Sequence, residues 1–443
     1  MTKNSDEYAD RVDQSTDQKL AVGLRAFRER IDYTMAASLN ACIHCGLCAE
    51  SCHYYLATGD PITQPAYKVA LVQAVFKRYH TMTGGTLPAL TGARAFDTTL
   101  VREWIDSLFG NCSMCARCTL SCTVGLHIPR IVRAGRSTIA AMGLVPPELQ
   151  STVDAAVQTG NNMGIPKAEW LETVEWLDEE LRNELGQGES YLPIDQEQAE
   201  MLYAVNPREV KFFPLSLMAA ARIFRAAGAS WTFSADYFDV TNYGLFSGDD
   251  VAARLISGRL AESMKRLKCR TLVLGECGHG YAANRWEAPE WHRQTPEFAV
   301  KSIVELIADY LKEGRITLDP SKFAKRVTLH DPCNLVRMGG VIEEQRFVLR
   351  HAVADFVEMF PNRENNYCCG GGGGQLSMTR YAKRRLAAGR IKADQIRATG
   401  AKVVVAPCHN CIDQLGELNK EYHLGVEVKT LAEIVAEALV VRP

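Results

Sequence analysis

The sequence predicts an α + α/β fold, in which a mostly helical N-terminal domain precedes a duplicated α/β domain. Helical patterns dominate residues 20–145, and from about residue 199 short apolar strands alternate with helices, as in parallel α/β units. An internal repeat indicates two α/β copies. We therefore expect four segments: a helical domain at 20–145, an acidic helical linker at 146–198, a first α/β copy at 199–320 and a second at 321–443.

Two helices of the first segment are predicted to lead into cysteine clusters. Residues 20–40 form a helical pattern that ends just before the first cluster, and residues 97–109 form one that ends before the second. Pro146 and Pro147 interrupt the helical pattern because proline lacks the N–H that a helix interior needs. The helical domain is therefore expected to end near residue 145.

Two stretches of the chain are strongly charged, one in the linker and one in the second α/β copy. Residues 167–200 carry eleven Asp and Glu against two Lys and Arg, on a helix whose apolar face is Trp170, Val174, Leu177 and Leu181. Residues 375–402 carry eight Lys and Arg against one Asp. A solvated helix face is the ordinary interpretation of such stretches, and a docking surface for a protein partner is the alternative.

The α/β part contains strand candidates at 201–205, 270–275, 326–330 and 402–406, with helical segments between them. The repeat aligns five cysteines of the second copy with five positions of the first. They are Cys333, Cys368, Cys369, Cys408 and Cys411 in the second copy, and Asn206, Asn242, Tyr243, Cys277 and Gly280 in the first. The first copy is therefore expected to be degenerate, because it keeps one of the five cysteines.

The bulk composition limits the function classes. The 443 residues are 47% hydrophobic with a net charge of −2, which is typical of a soluble globular protein and argues against a nucleic-acid partner. No apolar window is long enough to span a bilayer, and residues 1–10 lack the apolar core of a secretory signal. Fifteen cysteines in such a chain are better interpreted as reduced metal ligands than as disulfides. We expect a cytoplasmic protein, and peripheral attachment to the cytoplasmic face of a membrane complex is compatible with this.

Two cysteine runs follow the C-x2-C-x2-C-x3-C spacing of cubane [4Fe–4S] ferredoxins. In two-cluster ferredoxins the fourth cysteine of each run binds the other cluster. The expected ligand sets are Cys42, Cys45, Cys48 and Cys122 for one cluster, and Cys112, Cys115, Cys118 and Cys52 for the other. Zinc is the alternative, but its sites usually pair C-x2-C knuckles at longer spacing. His53 and Thr123 stand where proline usually follows the fourth cysteine.

The five C-terminal cysteines predict a third metal site at the strand ends of the second copy, where open α/β sheets place ligands. Five thiolates exceed the need of one cubane, so an unusual cluster or zinc on four of the five is expected. Gly370, Gly371 and Gly372 begin a five-glycine run whose N–H groups could face an anionic cluster. No Gly-Lys-Ser/Thr follows, which argues against a phosphate loop.

Two further features of this region leave alternatives open. His330 and Asp331 are expected to brace the strand end, and direct proton chemistry is the alternative. Cys277 either faces a cavity between the two copies, beside His279, or is a relic of the lost site.

With LHDPCNLVRMGG, YCCGGGGGQL and APCHNC, the chain resembles the heterodisulfide reductase group of cysteine-rich, CCG-domain iron–sulfur proteins over residues 35–440. It is similar to the HdrD type, which fuses HdrC-like and HdrB-like parts, and most of all to DsrK-like subunits of sulfur metabolism, since one CCG site is lost. The resemblance implies that Cys333, Cys368, Cys369, Cys408 and Cys411 bind a noncubane [4Fe–4S] cluster that cleaves a disulfide. It also implies partner redox subunits, either a membrane quinone-reactive or haem subunit or a flavoprotein, and a disulfide or persulfide on a small protein as substrate.

Three functions follow from these expectations. The main one is a thiol–disulfide oxidoreductase subunit that passes electrons through two cubanes to the noncubane cluster. The second is the iron–sulfur relay of a flavin-dependent glycolate, lactate or glycerol-3-phosphate dehydrogenase, with the flavin on another subunit because no G-x-G-x-x-G follows a strand. The third is a non-enzymatic iron–sulfur assembly protein or redox sensor.

Overall fold

A computed structural model describes residues 8, 11–14, 16–186, 188 and 190–440. Residues 1–10 are expected not to form a secretory signal. Most of them lie outside the described residues. Within the described part of the chain, no helix combines the length and the apolar character needed to cross a membrane.

The chain forms two compact units that alternate along the sequence. The helical unit comprises residues 1–151, 243–250 and 370–391, and the α/β unit comprises residues 152–242, 251–369 and 392–443. Neither unit is therefore one continuous stretch of chain. The predicted division into four consecutive segments stays a prediction.

The first part of the chain is helical. Its α-helices are α1 (Asp17–Arg30), α2 (Tyr33–Ala41), α3 (His53–Thr58), α4 (Pro65–His80), α5 (Met82–Thr86), α6 (Pro88–Thr91), α7 (Thr98–Trp104), α8 (Arg117–Leu120), α9 (Ile128–Ala141), α10 (Pro147–Thr159) and α11 (Lys167–Leu185). Short 3₁₀ turns cover Leu47–Ser51 and Pro61–Thr63, and Ile105–Gly110 is a π-helix.

The two helices predicted to lead into the cysteine runs are present with altered geometry. The expected helix at 20–40 is divided into α1 and α2, because the Asp32 carboxylate accepts a hydrogen bond from the Met35 N–H at 2.6 Å and caps a new helix. The expected helix at 97–109 is α7, and it continues into the π-helix. π-Turns are rare and often lie at functional sites, and this one ends just before Cys112.

The rest of the chain alternates strands and helices as predicted. The strands are β1 (Met201–Ala204), β2 (Trp231–Thr232), β3 (Thr271–Leu274), β4 (Ala299–Ser302), β5 (Val327–Leu329), β6 (Phe356–Glu358), β7 (Val403–Val405) and β8 (Glu427–Lys429). The helices are α12 (Pro207–Phe212), α13 (Pro214–Ala226), α14 (Gly244–Ser247), α15 (Asp250–Leu267), α16 (Gly278–Ala282), α17 (Ala288–His292), α18 (Ile303–Lys312), α19 (Cys333–Val336), α20 (Glu344–Ala352), α21 (Ala382–Thr399), α22 (His409–Tyr422) and α23 (Leu431–Ala438).

Two small parallel sheets confirm the duplicated α/β fold. The strand order is β2-β1-β3-β4 in the first sheet and β6-β5-β7-β8 in the second, so the two copies share one topology. The central strands pair in register, with Leu202 opposite Leu272 and Val327 opposite Val403. The four strand candidates of the sequence are these central strands. The outer strands were not predicted, because β2 has only two residues and β6 is only half-buried.

The linker helix α11 packs into the core of the α/β unit. Its predicted apolar face is buried, with Trp170, Leu177 and Leu181 fully covered. Most of its acidic residues are exposed, whereas Asp178 is buried and accepts hydrogen bonds from the Tyr191 and Leu192 N–H groups. The amphipathic pattern therefore positions a core element.

Candidate iron–sulfur sites

The two ferredoxin-type cysteine runs have the same backbone conformation. The second and fourth residues after the first cysteine have positive φ in both runs: His44 (54°) and Gly46 (82°), and Met114 (52°) and Ala116 (62°). Three of these four are not glycine, so the conformation costs free energy that the surrounding structure must supply. The same backbone strain in both runs is expected if each loop wraps around a bound group of fixed shape, such as a metal cluster.

The positive-φ turn directs a backbone N–H towards the first sulfur of each run. The Met114 N–H donates to Cys112 Sγ at 3.4 Å. In the other run, burial raises the pKa of Cys42, and a hydrogen bond from the His44 backbone N–H partly offsets that rise. Such N–H donors stabilise thiolate sulfur, the form that binds metal.

The helical unit brings the fourth cysteine of each run to the other run. One cavity is lined by Cys42, Cys45, Cys48 and Cys122, and a second by Cys52, Cys112, Cys115 and Cys118. Ser51 and Ser121, each preceding a fourth cysteine, share a hydroxyl–hydroxyl hydrogen bond. This grouping supports the proposed crossed ligation of two cubane clusters.

The two loops differ in burial. Cys45 is exposed and its neighbour Ile43 is 70% exposed, whereas Ser113 of the second loop is 1% exposed. Gly373 covers the second loop: its φ is +65°, and a Cβ there would lie 2.7 Å from the Ser113 carbonyl carbon. At least this part of the predicted glycine run serves close packing within the helical unit.

A buried arginine ties the second loop to the rest of the helical unit. The Arg136 guanidinium is fully buried and donates to the carbonyls of Leu108, Cys112, Phe246 and Gly373 at 2.7–3.1 Å. Its burial lowers its pKa to about 10. Because four carbonyls from three chain segments share one cation, Arg136 fixes the path of the loop that carries Cys112.

Thiols of the second loop lie in an apolar environment that disfavours their charged form. Desolvation raises the pKa of Cys112 and of Cys118, while the nearby Lys68 ammonium lowers both. Lys68 is 2% exposed and donates to the Thr63 carbonyl at 2.5 Å. A metal centre would supply the positive charge that deprotonates these ligands, so the donor set fits an iron–sulfur cluster.

The five C-terminal cysteines come together within the α/β unit, and all are at most 5% exposed. Cys333 Sγ lies 3.9 Å from Cys368 Sγ, and Cys369 Sγ lies 3.5 Å from Cys411 Sγ. These separations are far longer than a disulfide bond, and none of the chain's fifteen cysteines, all within the described residues, forms one. The set fits a metal cluster, as the sequence predicted.

Local turns of the second copy position these sulfurs at the carboxyl ends of its central strands. Cys408 lies three residues after β7 and is the N-cap of α22, and Cys333 begins α19 after β5. A hydrogen bond from Cys411 lowers the pKa of Cys408 to about 7, and the pKa of Cys411 is raised. Of these two thiols, Cys408 therefore more readily offers a thiolate.

Asp331 braces the strand end before Cys333. Its carboxylate accepts hydrogen bonds from Arg346 at 2.7 and 2.8 Å, from Gln345 at 2.7 Å and from the Arg363 N–H at 2.7 Å. Asp331 and Arg346 are both at most 1% exposed. The bracing role that the sequence suggested for Asp331 has this geometric support.

His330 points into the cysteine cluster. Its imidazole and the sulfurs of Cys369 and Cys411 offer ligand atoms within 4.8 Å of one another. The side chain is fully buried, and neither ring nitrogen has a hydrogen-bond partner among the described residues. Burial lowers its pKa well below the usual value, so the ring is neutral. An unsatisfied imidazole is a further sign that this space holds a group with which it can bond.

In the first copy the corresponding site is closed. Gly280 takes the place of Cys411, and a Cβ there would lie 2.4 Å from the Val240 carbonyl oxygen. Asn242 instead donates to the Ala253 carbonyl at 2.9 Å. The retained Cys277 is 2% exposed and lies 3.4 Å from His279 Nδ1.

Cys277 nevertheless lies near the five C-terminal cysteines of the second copy. Its thiol interacts electrostatically with Cys408, and the Gly278 N–H donates towards Cys408. Asn206, which aligns with Cys333, donates to Cys277 Sγ at 3.7 Å. Of the two alternatives left by the sequence, these contacts favour a thiol that faces the boundary between the copies.

Sequence reasoning missed the buried cations Lys68, Arg136, Arg346 and Lys392. A signal exists for Lys392, because Ala388 and Ile396 lie four residues to either side on the same face of α21 and are 1% exposed. A lysine on an apolar stripe marks a buried charge. The surrounding basic residues of α21 hide this signal in a count of net charge.

Comparisons with known proteins match both cysteine-rich parts. Residues 38–126 match the 4Fe-4S dicluster domain family, and residues 327–416 match the CCG family, described as a cysteine-rich domain.

Curated relatives align over most of the chain. It is 27% identical to the Hdr-like menaquinol oxidoreductase iron-sulfur subunit of Archaeoglobus profundus, with 94% of this chain and 82% of that protein aligned. It is 25% identical to one subunit of the dihydromethanophenazine:CoB--CoM heterodisulfide reductase of Methanosarcina barkeri, covering 90% and 94% of the two chains. It is 26% identical to the EtfAB:quinone oxidoreductase of Syntrophomonas wolfei, covering 90% of this chain and 58% of that protein.

Proposed function

We propose that the chain is a heterodisulfide-reductase-like iron–sulfur electron-transfer subunit that reduces a disulfide with electrons from a quinol. The two family matches and the aligned relatives support this proposal. A partner membrane subunit oxidises the quinol to a quinone, releasing two electrons and two protons. The two ferredoxin-type cysteine runs would hold two cubane clusters, which would supply one-electron transfer towards the five C-terminal cysteines. There, a disulfide R–S–S–R′ takes up two electrons and two protons to give RSH and R′SH.

The observation that carries this proposal is the C-terminal site. All five cysteines are buried and none forms a disulfide. The His330 imidazole, Cys369 and Cys411 offer ligand atoms within 4.8 Å of one another, and Cys333 Sγ lies 3.9 Å from Cys368 Sγ. A cubane in a simple relay takes four thiolate ligands, one for each iron, so a fifth buried thiol supports a cluster of another type. We propose Cys333, Cys368, Cys369, Cys408 and Cys411 as the ligands of a noncubane [4Fe–4S] cluster.

The first cubane is the proposed entry point for electrons. Its ligand loop, with Cys45 exposed and Ile43 70% exposed, is open to a partner, and the second loop is covered. We propose Cys42, Cys45, Cys48 and Cys122 as the ligands of the entry cluster, and Cys112, Cys115, Cys118 and Cys52 as those of the second. The complex would lie at the cytoplasmic face of the membrane, where the quinone-reactive subunit is embedded.

The test is iron analysis and electron paramagnetic resonance on anaerobically purified protein. We expect about 12 iron atoms per chain, four for each of three [4Fe–4S] clusters. Addition of a thiol to the oxidised protein should produce a new paramagnetic signal, because the thiol sulfur binds the C-terminal cluster. Cys369→Ser should lower the iron content to about 8 atoms and abolish that signal.

Cys269→Ser is the matched control, since Cys269 is also buried but lies at the end of α15, outside the three cysteine groups. It should change neither iron content nor signal. A wild-type protein that binds three clusters, gives no thiol-dependent signal and is reduced by a flavoprotein with a 2-hydroxy acid would contradict the disulfide chemistry. Such a result would instead assign the relay function of a flavin-dependent dehydrogenase.

A further inference from the structure

Lys392 places a buried positive charge beside the C-terminal cysteines. The residue lies in α21 and is 0% exposed. Its Nζ has one hydrogen-bond partner among the described residues, the thioether sulfur of Met359 at 3.7 Å. No carboxylate of the described part of the chain forms an ion pair with it. A buried ammonium of this kind is costly unless an anion offsets its charge.

The neighbouring buried cation shows the contrast. Arg346 is also 0% exposed, but it is neutralised by Asp331 and by Glu358, with contacts of 2.7–2.8 Å. Asp331 is already saturated by four donors, so it is not left for Lys392. Arg346 therefore has two ion-pair partners, whereas Lys392 has none among the described residues and feels Asp331 only as a more distant charge.

Besides Asp331, the negative groups near Lys392 are the thiols of this site. Asp331, Cys369 and Cys368 are the groups whose charge favours the ammonium form, against the desolvation that lowers its pKa to about 8. In the helical unit, Lys68 has the same relation to Cys112 and Cys118, where it is 2% exposed. A buried lysine thus accompanies two of the three cysteine groups.

We propose that Lys392 is the counter-cation of the C-terminal cluster site, where it raises the reduction potential of the cluster and stabilises the thiolate that disulfide cleavage releases. The proposal rests on the proposed function for the presence of a cluster at this site. Reduction adds an electron to an already anionic centre, and a fixed positive charge in a low-dielectric interior favours that step. When R–S–S–R′ accepts two electrons, two thiolates form, and the ammonium offsets one of them without giving up its proton.

The test compares Lys392→Met with Lys392→Arg in the full-length, cluster-loaded protein. The midpoint potential of the C-terminal cluster is measured by redox titration of its thiol-dependent paramagnetic signal, or of its visible absorbance if no such signal forms. Lys392→Met should make reduction at least tenfold less favourable, a shift of about 59 mV to lower potential for a one-electron couple. Lys392→Arg keeps the charge and should retain most of the wild-type potential.

Two measurements separate this role from a structural one. Lys383 lies in the same helix and is exposed, so Lys383→Met should leave the potential unchanged. The metal-free Lys392→Met protein should unfold at the same temperature as wild type or higher, because an uncompensated buried charge has been removed. A residue that merely fills space would lower the stability and leave the potential unchanged.

The proposal is overturned if Lys392→Met keeps the wild-type potential while retaining its iron. It is also overturned if wild-type protein holds only two clusters, which would remove the proposed function as well. A potential shift without any thiol-dependent signal would support Lys392 as counter-cation and contradict the disulfide chemistry alone.

Discussion

At the scale of single residues, the buried ion pair of Asp331 and Arg346 has the largest effect on the shape of the C-terminal site. It holds the turn between β5 and Cys333, with both side chains at most 1% exposed. Removing Asp331 would leave the buried Arg346 guanidinium with only the partly exposed Glu358 as its counter-charge. Loss of one partner of a buried ion pair is strongly destabilising.

Asp331→Asn should lower the free energy of unfolding of the metal-free protein by about 3–5 kcal/mol. Chemical denaturation under reducing conditions measures this. Asp355→Asn is the matched control, since it breaks the exposed pair of Asp355 with Arg326 and should cost less than about 1 kcal/mol. Equal effects of the two substitutions would show that Asp331 does not brace the site.

The candidate cysteine ligands could be predicted from the sequence, whereas most of the buried cations around them could not. The thiolate spacing of each run is local, so Cys42 to Cys52 can be recognised without a structure. Arg136 is recognised only by its tertiary contacts, such as the Gly373 carbonyl, which lies far from it along the chain. Burial of a cation is a tertiary property that a count of net charge conceals.

At the scale of elements, the two α/β copies show how a ligand site is lost while its fold is kept. Both sheets have the same strand order, and Cys277 and Cys408 each cap a helix three residues after a central strand. The topology was predictable because parallel strands give apolar runs. The closure of the first site was not, because the Val240 carbonyl that fills it lies 40 residues from Gly280.

Gly280→Ala should destabilise the protein by about 1–3 kcal/mol, because its methyl group would meet the Val240 carbonyl oxygen at 2.4 Å. Thermal or denaturant unfolding of the metal-free protein measures the change. Gly416→Ala in α22 is the control: nothing lies within 4 Å of its Cβ position, so the helix should gain about 0.5–1 kcal/mol. A stable Gly280→Ala protein would mean that the first site still has room for a ligand.

The boundary between the two copies should also give the α/β unit a pH-dependent stability. His409 of α22 and Glu209 of α12 are both buried, with His409 Nε2 3.4 Å from a Glu209 carboxylate oxygen. Desolvation disfavours the charged ring, but Glu209, with smaller contributions from Glu276 and Cys408, raises the pKa of His409 to about 9. A raised pKa means that the folded state binds the proton more tightly than the unfolded state.

The stabilisation from this pair should be complete below about pH 6.5, the unfolded pKa, and should be lost as the pH rises through about 9. Unfolding of metal-free protein between pH 6 and 10 measures it. Glu209→Gln should flatten the profile over this range. Glu197→Gln, which breaks an exposed pair with Lys268, should leave it unchanged; a profile that Glu209→Gln does not alter would assign the dependence to other groups.

At the scale of the whole molecule, the interleaving of the two units is the feature that sequence patterns did not reveal. A cysteine run and a β-strand are both patterns of neighbouring residues, so both could be predicted from the sequence. The assignment of residues 243–250 and 370–391 to the helical unit depends on contacts such as Gly373 with Ser113, which are about 260 positions apart. No local pattern encodes such a contact.

A fragment of residues 1–151 should therefore hold its clusters less well than the full chain does. Without residues 243–250 and 370–391, Arg136 loses the Phe246 and Gly373 carbonyls as acceptors, and Ser113 loses its cover. We expect a lower iron content after anaerobic reconstitution and a lower unfolding temperature. A fragment that retains about 8 iron atoms with the stability of the full-length protein would show that the later segments are dispensable.

The same interleaving has a consequence for the order in which the chain is synthesised and its clusters are inserted. The cysteines of the first two cluster sites emerge from the ribosome early, but the segment that closes over the second loop ends at residue 391. At about 5–20 residues per second, the roughly 240 residues after position 151 take on the order of 10–50 s to translate. During that interval a cluster already bound to the second loop would lack its cover and be open to solvent and oxygen. We therefore expect cluster insertion into this subunit to follow release of the chain.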